Sequence, residues 1–326
     1  MSDLSAGEIV AWFHLSFLMS IVIFMMTATY YTLYRLLFMH DWHISIITFL
    51  YCFLYLYCDR VRASRGDRLW PWFRRNFLLA KWVTSLLPVR LIKTTELDVN
   101  KNYIFGVHPH GTIGLMSTFL TDAAGFDRLF PGIKPHMVVM KMFFAVPILK
   151  EICMLCGAIS LESEFLHYVL DKNQRGTAVI IAVGGAYEVL DAHPGTMILT
   201  LQKRKGFIKI ALKQGASLVP VLNYGDNDQL EQFSNPPGST LRRIQDAMYS
   251  VARTAPTWLY GTKYGLADYK PINTVVGKPI DVEKVENPSE DQINELHAEY
   301  IRALNELFTE TKDEYSNYKD ITLEIR

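Results

Sequence analysis

Two histidines stand at the end of an apolar run, in the order His108-Pro109-His110-Gly111. Proline has no backbone N–H and disfavours helix at the residue before it, so the chain should be extended at His108 with both imidazoles on one side. An imidazole can take a proton, and free amides at the start of a following helix can stabilise an anion. The pattern predicts proton transfer at His108 or His110 beside the amides near Gly111; two polar turn residues are the alternative.

A carboxylate follows a second apolar run. Residues 178–183 are apolar, and Gly184, Gly185 and Glu188 come soon after them. Paired glycines at a strand end allow the backbone to approach a ligand closely, and Glu188 is placed to orient an imidazole and to balance its charge. This segment therefore predicts a third catalytic group, Glu188. A tight turn with a solvated glutamate is the alternative.

Three cations, Lys203, Arg204 and Lys205, precede Gly206 and a helix predicted over 207–214. Cations next to the free amides of a helix start suit phosphate groups. A solvated basic turn fits the same residues. The sequence predicts that substrate binding involves the following six residues: Gly111, Gly184, Gly185, Arg204, Lys205 and Gly206.

Strand-like and helix-like segments alternate beyond residue 95. Strands are predicted over 102–107, 137–140, 178–183, 217–223 and 273–276, and helices from 111, over 143–156 and over 207–214. This alternation predicts an α/β fold, a sheet with flanking helices. Ser289 and Gln292 form a capping box, and an apolar stripe then predicts a C-terminal helix that packs on the domain. The stripe consists of Ile293, Leu296, Tyr300, Leu304 and Leu307.

Composition narrows the function. Lys+Arg and Asp+Glu are both 33 among 326 residues, so the chain lacks the basic excess of a nucleic-acid-binding protein. Hydrophobic residues make up 50% and mean hydropathy is +0.10, with the excess near the N-terminus, which favours a membrane partner. Cys153 and Cys156 have no second pair to complete a zinc site, so we predict packing cysteines and no bound metal.

The N-terminal region predicts a membrane hairpin over residues 1–58. Residues 9–34 contain no Asp, Glu, Lys or Arg and are long enough to span a bilayer, and a second apolar run covers 42–58. A cleaved signal peptide fits less well, because the first residues are acidic and the apolar run is too long. The basic segment 59–94 follows and predicts a cytosolic α/β domain over 95–326, with residues 74–92 as an interfacial helix or an ordinary surface helix. The arginines that argue for this orientation are Arg60, Arg62, Arg65, Arg68, Arg74 and Arg75.

In this order the motifs resemble the type-2 diacylglycerol acyltransferase family, which includes the monoacylglycerol and wax-alcohol acyltransferases. The resemblance covers nearly the whole chain, and its most specific element is the His-Pro-His-Gly tetrapeptide at a strand end. The matching segments are FGVHPHG at 105–111, GGAYE at 184–188, RKGFIK at 204–209, LVPV at 218–221, YGDND at 224–228 and VVGKPI at 275–280.

The resemblance implies transfer of a fatty acyl group from acyl-CoA to a hydroxyl of a neutral lipid. Diacylglycerol is the expected acceptor, with monoacylglycerol or a long-chain fatty alcohol as alternatives. It further implies a glycerolipid-acyltransferase-like sheet, acyl-CoA as a co-substrate with no bound cofactor, and a location in the endoplasmic reticulum membrane and at lipid droplets. A homo-oligomer is compatible with the sequence. His110 is the expected base, with His108 holding the second imidazole or a substrate group.

Two segments depart from related enzymes. Phosphoglycerolipid acyltransferases carry an aspartate five positions after their histidine, whereas Ile113 and Leu115 stand at the corresponding positions here. Residues 258–263 lack the Arg-Gly pair expected of the neutral-lipid family. The altered segment permits a catalytically inert lipid-droplet protein as one alternative. A membrane-tethered lipid esterase is the other, because the histidines, the α/β pattern and the apolar N-terminal region fit it as well, although the chain has no Gly-x-Ser-x-Gly motif.

Overall fold

The computed structural model describes residues 31, 34–35, 42–111, 116–146, 148–171, 175–252, 257, 259–260 and 270–326. The chain divides into two compact units, Met1–Val61 and Arg62–Arg326.

In the first unit, helix α1 (Trp42–Leu50) continues as a π-helix over Tyr51–Cys58, so the apolar run predicted at 42–58 is helical. The other predicted arm of the hairpin, 9–34, lies outside the described residues except for positions 31 and 34. Over the part of the chain that the structure describes, no helix combines the length and the apolar character needed to cross a bilayer. The hairpin stays a prediction.

Strands occur along the described part of the chain from residue 89 to residue 325. They are β1 (Val89–Lys93), β2 (Tyr103–His108), β3 (Lys134–Val139), β4 (Ile159–Ser160), β5 (Thr177–Ala182), β6 (Met197–Leu199), β7 (Ser217–Tyr224), β8 (Glu231–Gln232), β9 (Leu259–Tyr260), β10 (Ile272–Val276) and β11 (Leu323–Ile325).

The helices that follow α1 are mostly short. They are α2 (Arg60–Ala63), α3 (Pro71–Asn76), α4 (Leu78–Leu86), a π-helix (Met116–Leu120), α5 (Phe126–Leu129), a 3₁₀ helix (Lys141–Ala145), α6 (Leu149–Leu155), α7 (Ser163–Val169), a second 3₁₀ helix (Gly185–Asp191), α8 (Gly206–Gln214), α9 (Thr240–Ala252) and α10 (Glu290–Tyr315).

A seven-stranded mixed sheet is the centre of the second unit as described. Its strand order is β1-β10-β7-β2-β5-β3-β4. Strands β7, β2, β5, β3 and β4 are mutually parallel, β10 is antiparallel to β7, and β1 is parallel to β10. The predicted α/β class is confirmed. Strand β1 lies before residue 95, where the sequence placed the start of this domain.

The sheet has an apolar core on each face, because side chains alternate along a strand. In β2, Ile104 packs with the core that contains Leu304 of α10, whereas Phe105 packs on the other face with Phe119 and Phe126. Strands covered on both faces are expected to be mostly apolar, and β2, β5 and β7 are buried along nearly their whole length, with polar residues only near their ends. Gly106 and His108 alternate with Phe105 and therefore belong to the α10 face.

The predicted C-terminal helix is confirmed as α10. Its capping box is complete: the Ser289 side chain accepts from the Gln292 backbone, and the Gln292 side chain accepts from the Ser289 N–H. Every residue of the predicted stripe is buried, and α10 packs against β7 and α8. The capping box fixes where the helix begins, and the buried stripe fixes which face it turns to the sheet.

Two predicted helices are broken in the structure. The helix predicted over 143–156 divides into the Lys141–Ala145 3₁₀ helix and α6, and Pro147 lies between them and cannot donate a helical hydrogen bond. Residues 74–92 divide into the end of α3, then α4 and β1. The first break is at Phe77, whose backbone is extended, and α4 ends before Pro88 because proline disfavours helix at the residue before it.

Arg74 is not an exposed interfacial cation. Its side chain is buried, and its guanidinium donates to Asp127 Oδ1 at 2.5 Å and to the Thr121 carbonyl at 3.1 Å. Arg75 is exposed and bonds the same aspartate at 2.7 Å. The two arginines therefore join α3 to α5, and Arg74 belongs to the interior and not to an exposed helix surface.

Candidate active site

The predicted catalytic residues meet at one edge of the sheet. Strands β5, β2 and β7 are neighbours and run parallel, so their carboxyl ends lie side by side. His108 is the last residue of β2, Glu188 lies in the 3₁₀ helix that follows β5, and Asp226 follows the end of β7. Residues 78 positions apart are thereby brought within hydrogen-bond distance. This edge is where ligands bind in open α/β sheets.

His108 is completely buried. Its Nε2 lies 2.9 Å from the hydroxyl of Tyr300 on α10, and that hydroxyl donates to the Gly106 carbonyl at 3.1 Å. Burial lowers the pKa of His108 to about 3, so its ring is neutral at physiological pH. Among the described residues Nδ1 has no hydrogen-bond partner. A Cβ added at Gly106 would collide with the Tyr300 hydroxyl, so glycine is required beneath it.

His110 lies in a different environment. Its side chain is half-buried, and Nδ1 lies 3.0 Å from the Gly111 carbonyl oxygen. A carbonyl oxygen can only accept, so Nδ1 is the protonated nitrogen of the neutral ring and Nε2 carries the lone pair. The two imidazoles thus differ in their surroundings: His108 is enclosed in the core and His110 is accessible.

Glu188 binds backbone amides. Its Oε1 accepts the His110 N–H at 2.5 Å, and its Oε2 accepts the Thr200 N–H at 2.8 Å. Burial raises the pKa of Glu188 to about 7, although these two hydrogen bonds act to lower it. The predicted partnership with an imidazole is thus indirect: the carboxyl group holds the backbone of His110 and not its ring.

The two glycines before Glu188 serve the turn itself. A Cβ at Gly184 would collide with Glu188 Oε2, so the space that we expected a ligand to use is filled by this carboxyl group. Gly185 has φ +65°, in the left-handed region that favours glycine. Both therefore shape the turn that places Glu188 against His110, and their contact with substrate stays a prediction.

A second carboxylate, that of Asp226, lies against the histidine loop, residues His108–Gly111. Asp226 is fully buried, and its Oδ2 accepts from Asn223 Nδ2 at 2.9 Å. Gly111 has φ +69°, and a Cβ there would collide with the Asp226 carboxylate. The sequence did not point to Asp226 as a site residue; it appeared only within the family-matching segment 224–228. Its position at the end of a strand parallel to β2 is the signal that could have identified it.

The basic turn is joined to this site through Arg204. Its guanidinium is half-buried and donates to the Gly184 carbonyl at 3.3 Å. Lys205 instead reaches Asn294 of α10, with Nζ 2.6 Å from Oδ1. Gly206 is exposed and begins α8, which confirms the helix predicted over 207–214. Arg204 is thus next to the Glu188 turn, whereas Lys205 lies towards the C-terminal helix.

Several predicted features lie outside the described residues. The helix start predicted after Gly111 falls on residues 112–115, which include Ile113 and Leu115 and are not described; the described residues 116–120 form a π-helix. Of the unusual segment 258–263, only residues 259–260 are described, as β9.

Cys153 and Cys156 are confirmed as packing residues. Both thiols are buried, and burial raises their pKa values to about 12 and about 11. A thiol that stays protonated is a poor nucleophile and a poor metal ligand.

Sequence reasoning missed the role of Tyr300. The residue is visible in the sequence as one member of the apolar stripe of α10, and every member of such a stripe is expected to pack in the core. Only its hydroxyl distinguishes it, because a buried tyrosine hydroxyl normally requires a hydrogen-bond partner.

The chain is similar in sequence to known acyltransferases. The sequence profile described as diacylglycerol acyltransferase matches residues 34–326. The 2-acylglycerol O-acyltransferase 1 of Mus musculus is 41% identical over 286 residues, covering 83% of this chain and 85% of the mouse protein. The diacylglycerol O-acyltransferase 2 of Danio rerio is 40% identical over 289 residues, covering 86% and 80%. The crystal structure of the 1-acyl-sn-glycerophosphate acyltransferase PlsC from Thermotoga maritima has a TM-score of 0.42 and 15% identity, covering 82% of this chain and 94% of that chain.

Proposed function

Because this chain belongs to the diacylglycerol acyltransferase family, we propose that it transfers a fatty acyl group from acyl-CoA to a free hydroxyl of a neutral glycerolipid. The observation that carries the chemistry is the position of His110. Its ring is accessible, its tautomer is fixed by the Gly111 carbonyl, and its backbone is held by Glu188. These contacts leave the lone pair of Nε2 directed away from Gly111, on a ring whose position is fixed. A general base needs such a lone pair.

In the proposed reaction, His110 Nε2 takes the proton of the acceptor hydroxyl while the oxygen attacks the carbonyl carbon of the thioester. The new C–O bond forms, the C–S bond breaks, and CoA leaves as a thiolate that receives the proton from the imidazolium. The products are an ester and free CoA, so no acyl-enzyme intermediate is needed. Amides of the segment after Gly111 are proposed to stabilise the oxyanion. The His110 amide is not free for this purpose, because it donates to Glu188.

The basic turn is the proposed site for the phosphates of acyl-CoA. Arg204 is half-buried next to the Gly184 turn, and Lys205 and Gly206 follow it at the start of α8. Arginine and helix-start amides both bind phosphate oxygens. Because Arg204 donates to the Gly184 carbonyl, the basic turn lies next to the turn that carries Glu188. An acyl donor bound here would therefore have its phosphates at the edge of the sheet that carries His110.

The proposed acceptor class is an uncharged glyceride. Diacylglycerol is the acceptor expected from the sequence, and 2-monoacylglycerol is supported by the 2-acylglycerol enzyme of Mus musculus, which is as similar as the diacylglycerol enzyme of Danio rerio. The residues next to Glu188, Ala186, Tyr187 and Val189, are uncharged, which suits an acceptor without a phosphate group. A long-chain alcohol is the remaining alternative.

We propose that the protein acts at the endoplasmic reticulum membrane and at lipid droplets, with its second unit in the cytosol. Large apolar side chains are exposed on α1 and the π-helix after it, including Ile47 at 67% and Phe49 at 66%. Trp70 and Trp72 are exposed in the basic segment, and tryptophan is typical of membrane–water interfaces. A bilayer would cover these apolar side chains and would supply a water-insoluble acceptor.

The test is an assay of purified full-length protein with labelled acyl-CoA and one acceptor at a time. We expect an ester product with diacylglycerol or 2-monoacylglycerol, and none with water alone; free fatty acid as the main product would indicate an esterase. His110→Ala is expected to abolish ester formation in a protein that remains folded. His193→Ala is the matched control, since His193 is half-buried and bonds Asn235 at 3.0 Å. Near-normal turnover by His110→Ala would exclude it as the base.

A further inference from the structure

A buried chain of hydrogen bonds joins α10 to the end of β2. The Tyr300 hydroxyl lies 3.1 Å from the Gly106 carbonyl oxygen and 2.9 Å from His108 Nε2. The carbonyl can only accept, so the single hydroxyl proton is donated to Gly106. The hydroxyl can then only accept from His108. It follows that Nε2 carries the proton of the His108 ring.

The members of this chain are enclosed by the core. His108 and Tyr300 are each 0% exposed, and Phe207 of α8 packs edge-on against the Tyr300 ring with centroids 5.0 Å apart. A Cβ at Gly106 would displace the hydroxyl. An acceptor hydroxyl would have to enter the core to reach His108, whereas it can approach the half-buried His110 from outside.

We propose that His108 and Tyr300 are positioning residues and not proton carriers: through them the C-terminal helix holds the end of β2 and so fixes the loop that carries His110. This inference rests on the proposed acyl transfer with His110 as the base. Glu188 holds the same loop from the side of β5, through the His110 amide. The loop is thus fixed on both sides, by two elements that are far apart in the sequence.

The charge states of the two residues agree with this role. Burial lowers the pKa of His108 to about 3 and raises the pKa of Tyr300 well above 10. Both groups therefore stay neutral throughout the physiological range, and the order of donors and acceptors between them does not change with pH. A proton carrier would need a pKa closer to the working pH.

Replacing His108 with glutamine and with asparagine distinguishes positioning from proton transfer. The amide nitrogen of glutamine extends about as far as Nε2 of histidine, and that of asparagine about as far as Nδ1, and neither amide acts as a base. We expect His108→Gln in the full-length protein to keep more than about a tenth of the wild-type kcat. The kcat of His108→Asn is expected to be about 100-fold below that of the wild type, which is the scale of the effect of a misplaced catalytic group. The KM for acyl-CoA should change little in either variant.

A second pair of variants tests the other end of the chain. Tyr300→Phe removes only the hydroxyl, and we expect kcat to fall by about 10-fold or more with KM unchanged. Tyr103→Phe is the matched control, because Tyr103 is also buried and its hydroxyl donates to the Asp98 carbonyl at 2.8 Å. That variant loses one tyrosine hydroxyl hydrogen bond at the start of β2, the end opposite to His108, and we expect it to keep wild-type kcat.

Thermal unfolding of each variant in detergent separates a loss of positioning from a loss of fold. If His108→Gln and His108→Asn are both folded and both inactive, His108 carries a proton and the inference is overturned. Full activity of Tyr300→Phe also overturns it. If the wild type acylates none of the acceptors, the proposed function fails, and the contact between His108 and Tyr300 is then tested by thermal unfolding alone. In that case His108→Gln should unfold at a higher temperature than His108→Asn, and the reverse order would overturn the inference.

Discussion

Replacing Glu188 with glutamine should change the pH dependence of stability. Burial raises the pKa of Glu188 from 4.5 to about 7, which corresponds to about 3 kcal/mol of free energy favouring the protonated form in the folded state. The stabilisation is fully present below about pH 4.5 and is lost as the pH rises through about 7. Glutamine is neutral throughout, so the variant should lack this decline.

The hydrogen bonds of Glu188 set the sign of the difference. Each of its oxygens accepts one backbone N–H, from His110 or from Thr200. A protonated carboxyl group can still accept both, but the amide nitrogen of glutamine cannot accept, and one buried N–H left without a partner costs about 1–3 kcal/mol. The wild type should therefore be clearly more stable at pH 5. At pH 8 this advantage should shrink by about 2–3 kcal/mol, because the wild-type carboxyl group is then ionised.

The measurement is urea unfolding of the detergent-solubilised full-length protein at pH 5 and pH 8, for the wild type and for Glu188→Gln. Glu96→Gln is the matched control, since the Glu96 side chain is 82% exposed and its replacement should leave the pH dependence of the wild type intact. The kcat of Glu188→Gln should also fall by about 10-fold to 100-fold, because the His110 backbone loses its fixed position. A difference in unfolding free energy that is the same at both pH values would refute the reasoning.

Three further outcomes are expected. Gly111→Ala should unfold at a lower temperature and lose activity, because its φ is +69° and the new Cβ would collide with Asp226; thermal unfolding and the acyl-transfer assay check this. Arg204→Gln should raise KM for acyl-CoA more than it lowers kcat if Arg204 binds phosphate, and steady-state kinetics with a constant acceptor would show it. Deleting residues 1–58 should remove integral anchoring: full-length protein should stay in membranes during alkaline carbonate extraction, and release of the full-length chain would exclude a spanning hairpin.

Much of the fold could be predicted from the sequence because its signals are local. The strand predicted over 102–107 is Tyr103–His108, and the strand predicted over 217–223 is Ser217–Tyr224. The capped helix begins where Ser289 places it. Apolar runs, a capping box and glycine-rich turns each depend on neighbouring residues, so they can be recognised without knowledge of the rest of the chain.

The predicted helix limits failed where one proline decided the outcome. The apolar pattern continues across Pro88 and Pro147, and periodicity alone favours unbroken helices there. A proline removes a backbone donor and restricts the residue before it, so the structure has separate elements on either side. The prediction for Arg74 was wrong for a different reason. Its charge predicted a surface position, but its buried side chain pairs with Asp127, which is 53 residues away in the sequence.

The sequence by itself determined which residues stand at the ends of β2 and β5, that α8 follows a basic turn, and that one face of α10 is buried. Tertiary structure alone decided what each polar group touches. Glu188 meets the His110 amide across 78 residues, and Tyr300 meets His108 across 192. Such contacts depend on which strands become neighbours and on the face that the C-terminal helix covers. A buried polar group must find a partner wherever packing places one, so its role follows from the assembled fold.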